Sequence, residues 1–391
     1  MAPSRAAERS GQPAVQDSSG VGSVVLVPFV LLADSVHYRA HTFPFIPNRQ
    51  EEGKPSLQDW VGVFRASLPQ FHRMALADPS VPHPGCQAAA GRFVAEYEHV
   101  LQGVEANPTR SLPGFEPDTV NCVSLAAVRE RCLKGQGFED CYRAVKGKET
   151  ELALLHLPQL LRELDAMGDG RARWEAVVRG VIAGNIFDLG AVSSSDIYTS
   201  GQMPTFKETC ATLQPRPWAE DGLDALLDAL TAAPGSPFQK AVVFCDNAGA
   251  DIILGIVPFV RELIQGGTAV VMAANEEPCI NDCTARELQA WLHEAAESDQ
   301  ILGRALAEGT LSVASTGTGN CVIDLAQVSP ELNDAAADAD FVVMEGMGRG
   351  IETNLRARFK VAALKIGMIK HREVAAELGG QLFGCVCRFD P

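Results

Sequence analysis

Polar residues that could do chemistry follow apolar runs in the second half of the chain. The first run, Ala241–Cys245, leads directly into Asp246 and Asn247 and then into a glycine turn. A carboxylate and an amide oxygen are hard donors of the kind that Mg²⁺ and Mn²⁺ prefer. The helix predicted to follow points its amide N–H groups at the same spot, which favours an anion. The alternative interpretation is that this pair only caps that helix.

A second acidic residue follows a predicted strand one strand–helix unit later. Asp282 follows the apolar run Thr268–Ala274 and a polar segment that begins at Asn275. Strand ends that are one crossover apart in a parallel sheet are neighbours, so Asp282 is expected to reach the same ion as Asp246. A helix cap before Thr284 is the alternative. Acidic residues that follow two successive predicted strands together favour a metal site.

The third run, Phe341–Met344, ends in Glu345 and a glycine-rich turn that contains Arg349. Glycines allow a ligand to approach the backbone closely, and an arginine can bind a phosphate or a carboxylate. The glycines alternate rather than following G-x-G-x-x-G, which disfavours a dinucleotide site. A plain surface turn is the alternative interpretation.

Lys365 is a fourth candidate because it lies inside an apolar strand pattern. A lysine in such a place is costly unless its charge is used, so the functional interpretation is a phosphate contact. The alternative is a side chain that reaches solvent from the end of the strand. The sequence contains no Walker A, G-x-S-x-G or H-E-x-x-H motif.

The elements that must position these residues follow two patterns. Apolar residues spaced three to four apart predict a mostly helical region from about Leu57 to Val181. After Pro215 and Pro217, apolar runs alternate with helical patterns, which predicts an α/β fold. We expect a three-layer α/β/α, Rossmann-like sheet, rich in parallel strands, with an N-terminal mostly helical domain. The expected divisions are a disordered leader (1–20), the helical domain (21–215) and the α/β metal-binding domain (216–391).

Composition limits the class of protein. The 391 residues are 46% hydrophobic and 21% charged, which is typical of a folded chain. The formal net charge of −16 disfavours nucleic acid as a partner. The apolar run Val21–Ala33 is too short to span a bilayer, so no membrane partner is expected. We interpret that run as a buried first strand, with a signal-peptide core as the alternative. The 11 cysteines suit reduced thiols of a cytoplasmic protein.

Four segments carry a family resemblance: FCDNAGADIILGIVPFVRELIQGG, AANEEPCIND, EGMGRGIETN and LKIGMIKH. Together they resemble the damage-control phosphatases, which are metal-dependent. The EGMGR sequence (Glu345–Arg349) is similar to the signature of the eukaryotic subgroup. That subgroup includes plant stand-alone enzymes and the C-terminal domain of the fourth vertebrate pantothenate kinase isoform. The resemblance extends upstream through Gly184–Ala191 to about residue 26, and a stand-alone form is expected.

The resemblance implies roles for individual residues. Asp246, Asn247 and Asp282 would bind a divalent metal ion, namely Mg²⁺, Mn²⁺, Co²⁺ or Ni²⁺. Asn185 and Asp188 would face the same cleft, and Lys365 would hold the substrate phosphate. The expected catalytic residues are Asp246, Asp282 and Lys365, and the expected substrate-binding residues are Asn185, Asp188, Glu345, Arg349 and Lys365.

The implied reaction is hydrolysis of a small phosphorylated metabolite, 4′-phosphopantetheine or its oxidised or sulfonated forms, which are damaged precursors of coenzyme A. Attack by a metal-oriented water is the favoured mechanism, and a covalent step on Asp246 is the alternative. Asp251 is a candidate supporting residue or general base. Two other functions stay open, a sugar-phosphate phosphatase of the same fold and a non-catalytic protein that binds a metal or metabolite.

Overall fold

The computed structural model describes residues 25–78, 81, 85–116, 119–186 and 205–391. The expected leader (1–20) and Asp188 therefore lie outside the described residues.

The centre of the fold is a sheet with the strand order β1-β7-β6-β5-β2-β3-β4. Neighbouring strands are parallel except β6 and β7, which pair antiparallel. The expected α/β fold with a mostly parallel sheet is confirmed. The strands in the described part of the chain are β1 (Glu220–Asp221), β2 (Lys240–Phe244), β3 (Ala269–Ala274), β4 (Leu311–Ser315), β5 (Phe341–Glu345), β6 (Ala362–Met368) and β7 (Cys385–Asp390).

Helices surround this sheet, and several begin at side-chain caps. Thr284 caps its helix in a reciprocal arrangement with Glu287, and Ser329 accepts from the amide of Leu332 at 3.0 Å. None of the described helices is long and apolar enough to cross a membrane. The helices are α1 (Leu57–Ala77), α2 (Cys86–Ala106), α3 (Cys122–Gly135), α4 (Arg143–Asp165), α5 (Gly170–Gly184), α6 (Phe206–Thr212), α7 (Leu223–Thr231), α8 (Val257–Gln265), α9 (Ala285–Ser298), α10 (Gln300–Glu308), α11 (Pro330–Ala336) and α12 (Arg372–Leu378).

Both faces of the sheet are covered, which makes three layers. Successive strand residues point to opposite faces, so Val243 of β2 packs in a core with α5 and α8. Val242 and Phe244 pack in a second core with α11 and an N-terminal segment that includes Phe29. Parallel strands buried on both faces explain why the sequence shows apolar runs rather than alternation.

The described part of the N-terminal apolar run, from residue 25 onward, is not a strand of this sheet. It makes isolated bridges from Val27 to Val328 and from Leu32 to Phe359, and buries Phe29 on the sheet face. The interpretation of this run as a first strand is therefore corrected. It lies on the sheet as an irregular segment, and its backbone amides donate to loop carbonyl oxygens, as Phe29 does to Leu325 at 2.7 Å.

The described helices contribute to separate hydrophobic cores, and the expected domain boundary at residue 215 stays a prediction. Helices α1 to α3 form their own core, whereas α4 and α5 pack on the sheet with α8. Leu157 and Val178 are buried in that sheet core. The helical pattern reveals the helices, but it does not reveal which surface each apolar face covers.

Candidate metal and phosphate site

The site forms where the ends of β2 and β5 meet the loop after β3. Asp246 and Asn247 follow β2, and Asn247 forms an isolated bridge with Asp282. The amide of Cys283 donates to the carbonyl oxygen of Asp246 at 3.0 Å, which fastens the β3 loop to the β2 tip. The structure thus brings together the three residues expected to bind metal, because parallel strands end at one edge of the sheet.

Arg349 lies between the two aspartates. Its Nη1 pairs with Asp246, and its Nη2 donates to Oδ2 of Asp282 at 2.7 Å and to Oδ1 of Asn275 at 3.1 Å. The guanidinium is buried, in a π-helical segment (Met347–Thr353) that follows β5. Burial raises the pKa of Asp282 well above its ordinary value, and the Arg349 charge opposes that rise. Arg349 thus contacts two carboxylates of the site, and the substrate-binding role expected for it stays a prediction.

The glycine before this segment is required by the close approach of β5 to β2. Gly346 has φ of +98°, and a Cβ at this position would overlap the carboxylate of Asp246. The glycine-rich turn therefore serves the packing of Arg349 against Asp246.

A second carboxylate group lies beside the first. The amide of Asn185 donates to Oδ2 of Asp251 at 2.9 Å and to Oε1 of Glu345 at 2.8 Å. Oε2 of Glu345 accepts from the backbone amide of Asp246 at 2.9 Å. Burial raises the pKa of Asp251 to about 6 and that of Glu345 well above its ordinary value. Asn185 and Glu345 therefore contact other residues of the site rather than the pocket.

The pocket itself opens between the sheet edge and the N-terminal helices. Asp246, Asn247 and Asp282 line it. Trp60 and Phe64 of α1 also belong to its lining. Further lining comes from α3 and from the loops after β4, β5 and β6, including Arg129, Cys321, Glu352 and His371.

The donor set facing this pocket suits a hard divalent cation. The Oδ1 atoms of Asn247 and Asp282 are buried and accept no hydrogen bond from the described residues. A buried acceptor without a partner is costly, and a cation would satisfy both oxygens. Carboxylate oxygens of Asp246, Asp251 and Glu345 also lie within 4.8 Å of one another, a second arrangement compatible with metal binding. Oδ1 of Asp251 also accepts no hydrogen bond from the described residues, but amide donors already contact its Oδ2 and Oε1 of Glu345. We therefore favour the first arrangement.

Backbone amides near the β2 tip are not available to an anion. The N–H of Asn247 donates to Asp251 at 3.3 Å, and that of Ala248 donates to the carbonyl oxygen of Asn281 at 2.9 Å. The N–H of Gly249 donates to the hydroxyl of Thr150 at 3.0 Å. The expected helix-terminus contribution to anion binding is therefore not seen at these three amides.

Lys365 lies away from these groups. Its Nζ pairs with Asp390 of β7, and Phe359 has its ring centroid 5.2 Å away. Burial lowers the pKa of Lys365. Asp390 therefore balances the charge of Lys365 within the antiparallel β6–β7 pair. This position argues against the phosphate contact expected for Lys365.

Lys370 is a lysine near the site carboxylates that the sequence interpretation missed. It comes two residues after β6 and is buried. Its charge lowers the pKa of both Asp251 and Glu345. The sequence feature that could have identified Lys370 is its position just beyond a strand end, in the same LKIGMIKH segment as Lys365.

Replacing Lys370 by methionine should lower the free energy of unfolding by about 3–5 kcal/mol at neutral pH, because two buried carboxyls lose a nearby cation. The folded-state pKa of Asp251, already about 6, should rise further. A carboxyl with a raised folded pKa contributes stability below its unfolded pKa and loses it as pH rises. The loss of unfolding free energy caused by Lys370→Met should therefore be smaller near pH 5 than at neutral pH. Urea unfolding at the two pH values measures it, and an equal loss at both would contradict this account.

The chain matches a family model and several known proteins. A family model described as damage-control phosphatase ARMT1-like domain matches residues 63–386. A damage-control phosphatase of Arabidopsis thaliana is 41% identical over 370 residues, which are 93% of this chain and 97% of that protein. A 4′-phosphopantetheine phosphatase of Mus musculus is 32% identical over 85% of this chain, and a pantothenate kinase 2 of Oryza sativa is 34% identical over 95%. The matches span only 45% and 42% of those two relatives.

A solved structure shares the fold. The crystal structure of a DUF89 family protein from Pyrococcus horikoshii matches with a TM-score of 0.54. The match covers 88% of this chain and 99% of that one, at 18% sequence identity.

Proposed function

Since this chain belongs to the damage-control phosphatase ARMT1-like domain family, we propose that it is a metal-dependent phosphatase of small phosphomonoesters. Its proposed substrate is 4′-phosphopantetheine or an oxidised or otherwise damaged form of it. The name of the mouse relative, a 4′-phosphopantetheine phosphatase, supports this substrate class. The plant relative, which matches over nearly its whole length, supports the damage-control role.

The observation that carries the proposal is the pair of unpartnered oxygens on Asn247 and Asp282, which line one pocket with Asp246. These three residues would hold the metal ion. A bound divalent cation neutralises phosphoryl oxygens and makes water a better nucleophile. The residues of the chain would do the remaining work of binding and orientation.

Arg349 would keep Asp246 and Asp282 ionised, since its guanidinium contacts both carboxylates. Ionised carboxylates are the form that binds a cation. Asn185 and Lys370 would hold Asp251 and Glu345 in place behind them. This buried network fixes the acceptor oxygens before substrate arrives, which is the arrangement that electrostatic catalysis requires.

The lining of the pocket supports an ester that carries an aliphatic arm. Trp60 and Phe64 offer apolar surface to an aliphatic arm and exclude water. Glu352 and His371, whose Oε1 and Nδ1 atoms are 3.2 Å apart, offer polar contacts to amide groups of such an arm.

The test is phosphate release by the purified protein with Mg²⁺, Mn²⁺, Co²⁺ or Ni²⁺. The panel contains 4′-phosphopantetheine, its sulfonate form, sugar phosphates and p-nitrophenyl phosphate. We expect metal-dependent turnover with the highest kcat/KM on the phosphopantetheine forms. If kcat/KM is highest on a sugar phosphate, the proposed substrate is wrong and a sugar phosphate takes its place. Tight metal binding without turnover of any ester would overturn the enzymatic proposal.

A further inference from the structure

Arg129 of α3 brings a positive charge to the pocket from the helical side of the molecule. Among the described residues that line the pocket, Arg129 is the one arginine or lysine. The guanidinium of Arg349 is already paired with Asp246 and Asp282. An anionic substrate that enters the pocket therefore meets the guanidinium of Arg129 as a permanently charged group of the chain.

The charge of Arg129 has only long contacts within the chain. Its side chain is 6% exposed. Nε lies 3.4 Å from Oε1 of Glu130, and Nη2 lies 3.5 Å from the sulfur of Cys321. Nη1 makes no hydrogen bond with the described residues. A buried guanidinium carries five N–H donors, and it is costly to leave them without close partners. The donors of Arg129 therefore suit an anion that comes from outside the chain.

The guanidinium is held in place before any ligand arrives. It lies over the buried ring of Phe71, 4.2 Å from the ring centroid. Stacking uses the flat face of a guanidinium and leaves its N–H edges directed elsewhere. Helix α3 is itself fastened to the loop after β4, because the side-chain amide of Asn320 donates to the carbonyl oxygen of Val123 at 3.2 Å. A cation fixed in this way loses little conformational entropy when it binds a ligand.

Contacts through the loop after β4 place Arg129 close to the metal site. The sulfur beside Arg129 belongs to Cys321, and the residue before it is Asn320. The carbonyl oxygen of Asn320 lies 3.5 Å from Nη2 of Arg349, and this same Nη2 donates to Asp282 at 2.7 Å. Adjacent residues of one loop thus contact Arg129 and the guanidinium that pairs with Asp282. Arg129 therefore lies at the metal-site end of the pocket.

We propose that Arg129 binds the phosphoryl oxygens of the substrate. A guanidinium can donate two parallel hydrogen bonds to an oxyanion, and the phosphoryl group has to lie beside the metal ligands to be hydrolysed. Arg129 thus supplies the phosphate contact that the sequence led us to expect from Lys365. The identity of the substrate rests on the proposed function, whereas binding of a tetrahedral oxyanion by Arg129 does not.

The first test requires no turnover and no variant. Crystals of the full chain are soaked with Mg²⁺ and tungstate, a tetrahedral dianion that resembles phosphate and scatters strongly. We expect tungstate in the pocket, with its oxygens about 2.7–3.2 Å from nitrogen atoms of the Arg129 guanidinium. An empty pocket at saturating tungstate, or a bound tungstate that Arg129 does not contact, overturns the proposal.

The second test measures substrate and anion binding in variants, with Mg²⁺ and p-nitrophenyl phosphate. In Arg129→Met, kcat/KM should fall about 100-fold and the inhibition constant of inorganic phosphate should rise by a similar factor, as expected for the loss of a charged hydrogen bond. Arg129→Lys should recover part of both, since lysine restores the charge but not the two-point contact. The matched control is Arg131→Met, an exposed residue of the same helix that is absent from the pocket lining, and it should change neither constant.

The outcomes separate the alternatives. Circular dichroism checks that each variant is folded. A lower kcat with unchanged KM and unchanged phosphate inhibition in a folded Arg129→Met chain would assign Arg129 a structural role and overturn the proposal. A loss confined to the sulfonate form of 4′-phosphopantetheine would overturn it too, because Arg129 would then bind the distal anion. If the unsubstituted chain hydrolyses no ester, the proposed function fails, and the tungstate complex still decides whether Arg129 binds an oxyanion.

Discussion

Replacement of Asp246 by alanine should reduce metal-dependent phosphate release by about 10²- to 10³-fold, the scale expected when a group that stabilises transition-state charge is removed. Asp246 lies where the two carboxylate groups of the site meet. It contacts Arg349 on one side, and its backbone amide donates to Glu345 on the other. Without its carboxylate the metal ion loses an anionic ligand and Arg349 loses one of its two ion pairs.

The chain should still fold in this variant. Arg349 keeps its ion pair with Asp282 and its hydrogen bond to Asn275, so no buried charge is left without a partner. Initial rates across a metal titration measure the loss, and thermal unfolding by circular dichroism checks the fold. The matched control is Asp338→Ala, an exposed aspartate before β5 that pairs with Lys240 at the opposite end of the strands. Full activity in the Asp246→Ala chain would remove this residue from the mechanism.

Replacement of Arg349 by methionine should lower the free energy of unfolding by about 3–5 kcal/mol when metal is absent, the usual cost of removing one partner of a buried ion pair. The guanidinium is the positive group in direct contact with both Asp246 and Asp282. Its removal leaves two buried carboxylates next to each other, and burial already raises the pKa of Asp282.

A divalent metal ion should restore more stability to this variant than it adds to the unsubstituted chain, because binding to the folded state stabilises it and the cation replaces the missing charge. Urea unfolding with a chelator and with Mn²⁺ measures both effects. Lys365→Met is the control, since Lys365 is also a buried cation but pairs with the partly exposed Asp390. The loss of unfolding free energy in the Lys365→Met chain should be smaller than in Arg349→Met, and it should not depend on metal. An Arg349→Met deficit that metal leaves unchanged would separate Arg349 from the metal site.

The candidate site shows which inferences a sequence supports. Asp246 and Asp282 could be placed together from the sequence, because apolar runs mark parallel strands and parallel strands end at one edge. Lys365 shows the opposite case. A strand pattern places a lysine in the sheet, but the partner of its charge, Asp390, comes from an antiparallel strand whose pairing no local pattern encodes.

The role of Arg349 depended on tertiary structure in the same way. Its sequence context of glycines and a strand end is typical of a ligand-binding turn. Only the folded chain, in which Gly346 lets the turn approach Asp246, shows the guanidinium between two carboxylates.

The sequence by itself determined the α/β fold and the strand ends at which chemistry is expected. Strand hydrophobicity and the residues that follow each strand are local properties, and local properties can be inferred directly from the sequence. The tertiary structure alone decided which buried charges pair, that Lys370 rather than Lys365 lies with the site carboxylates, and that helices α1 and α3 wall the pocket. Those outcomes depend on the electrostatic and packing free energies of groups far apart in sequence, which must neutralise and cover one another once water is excluded.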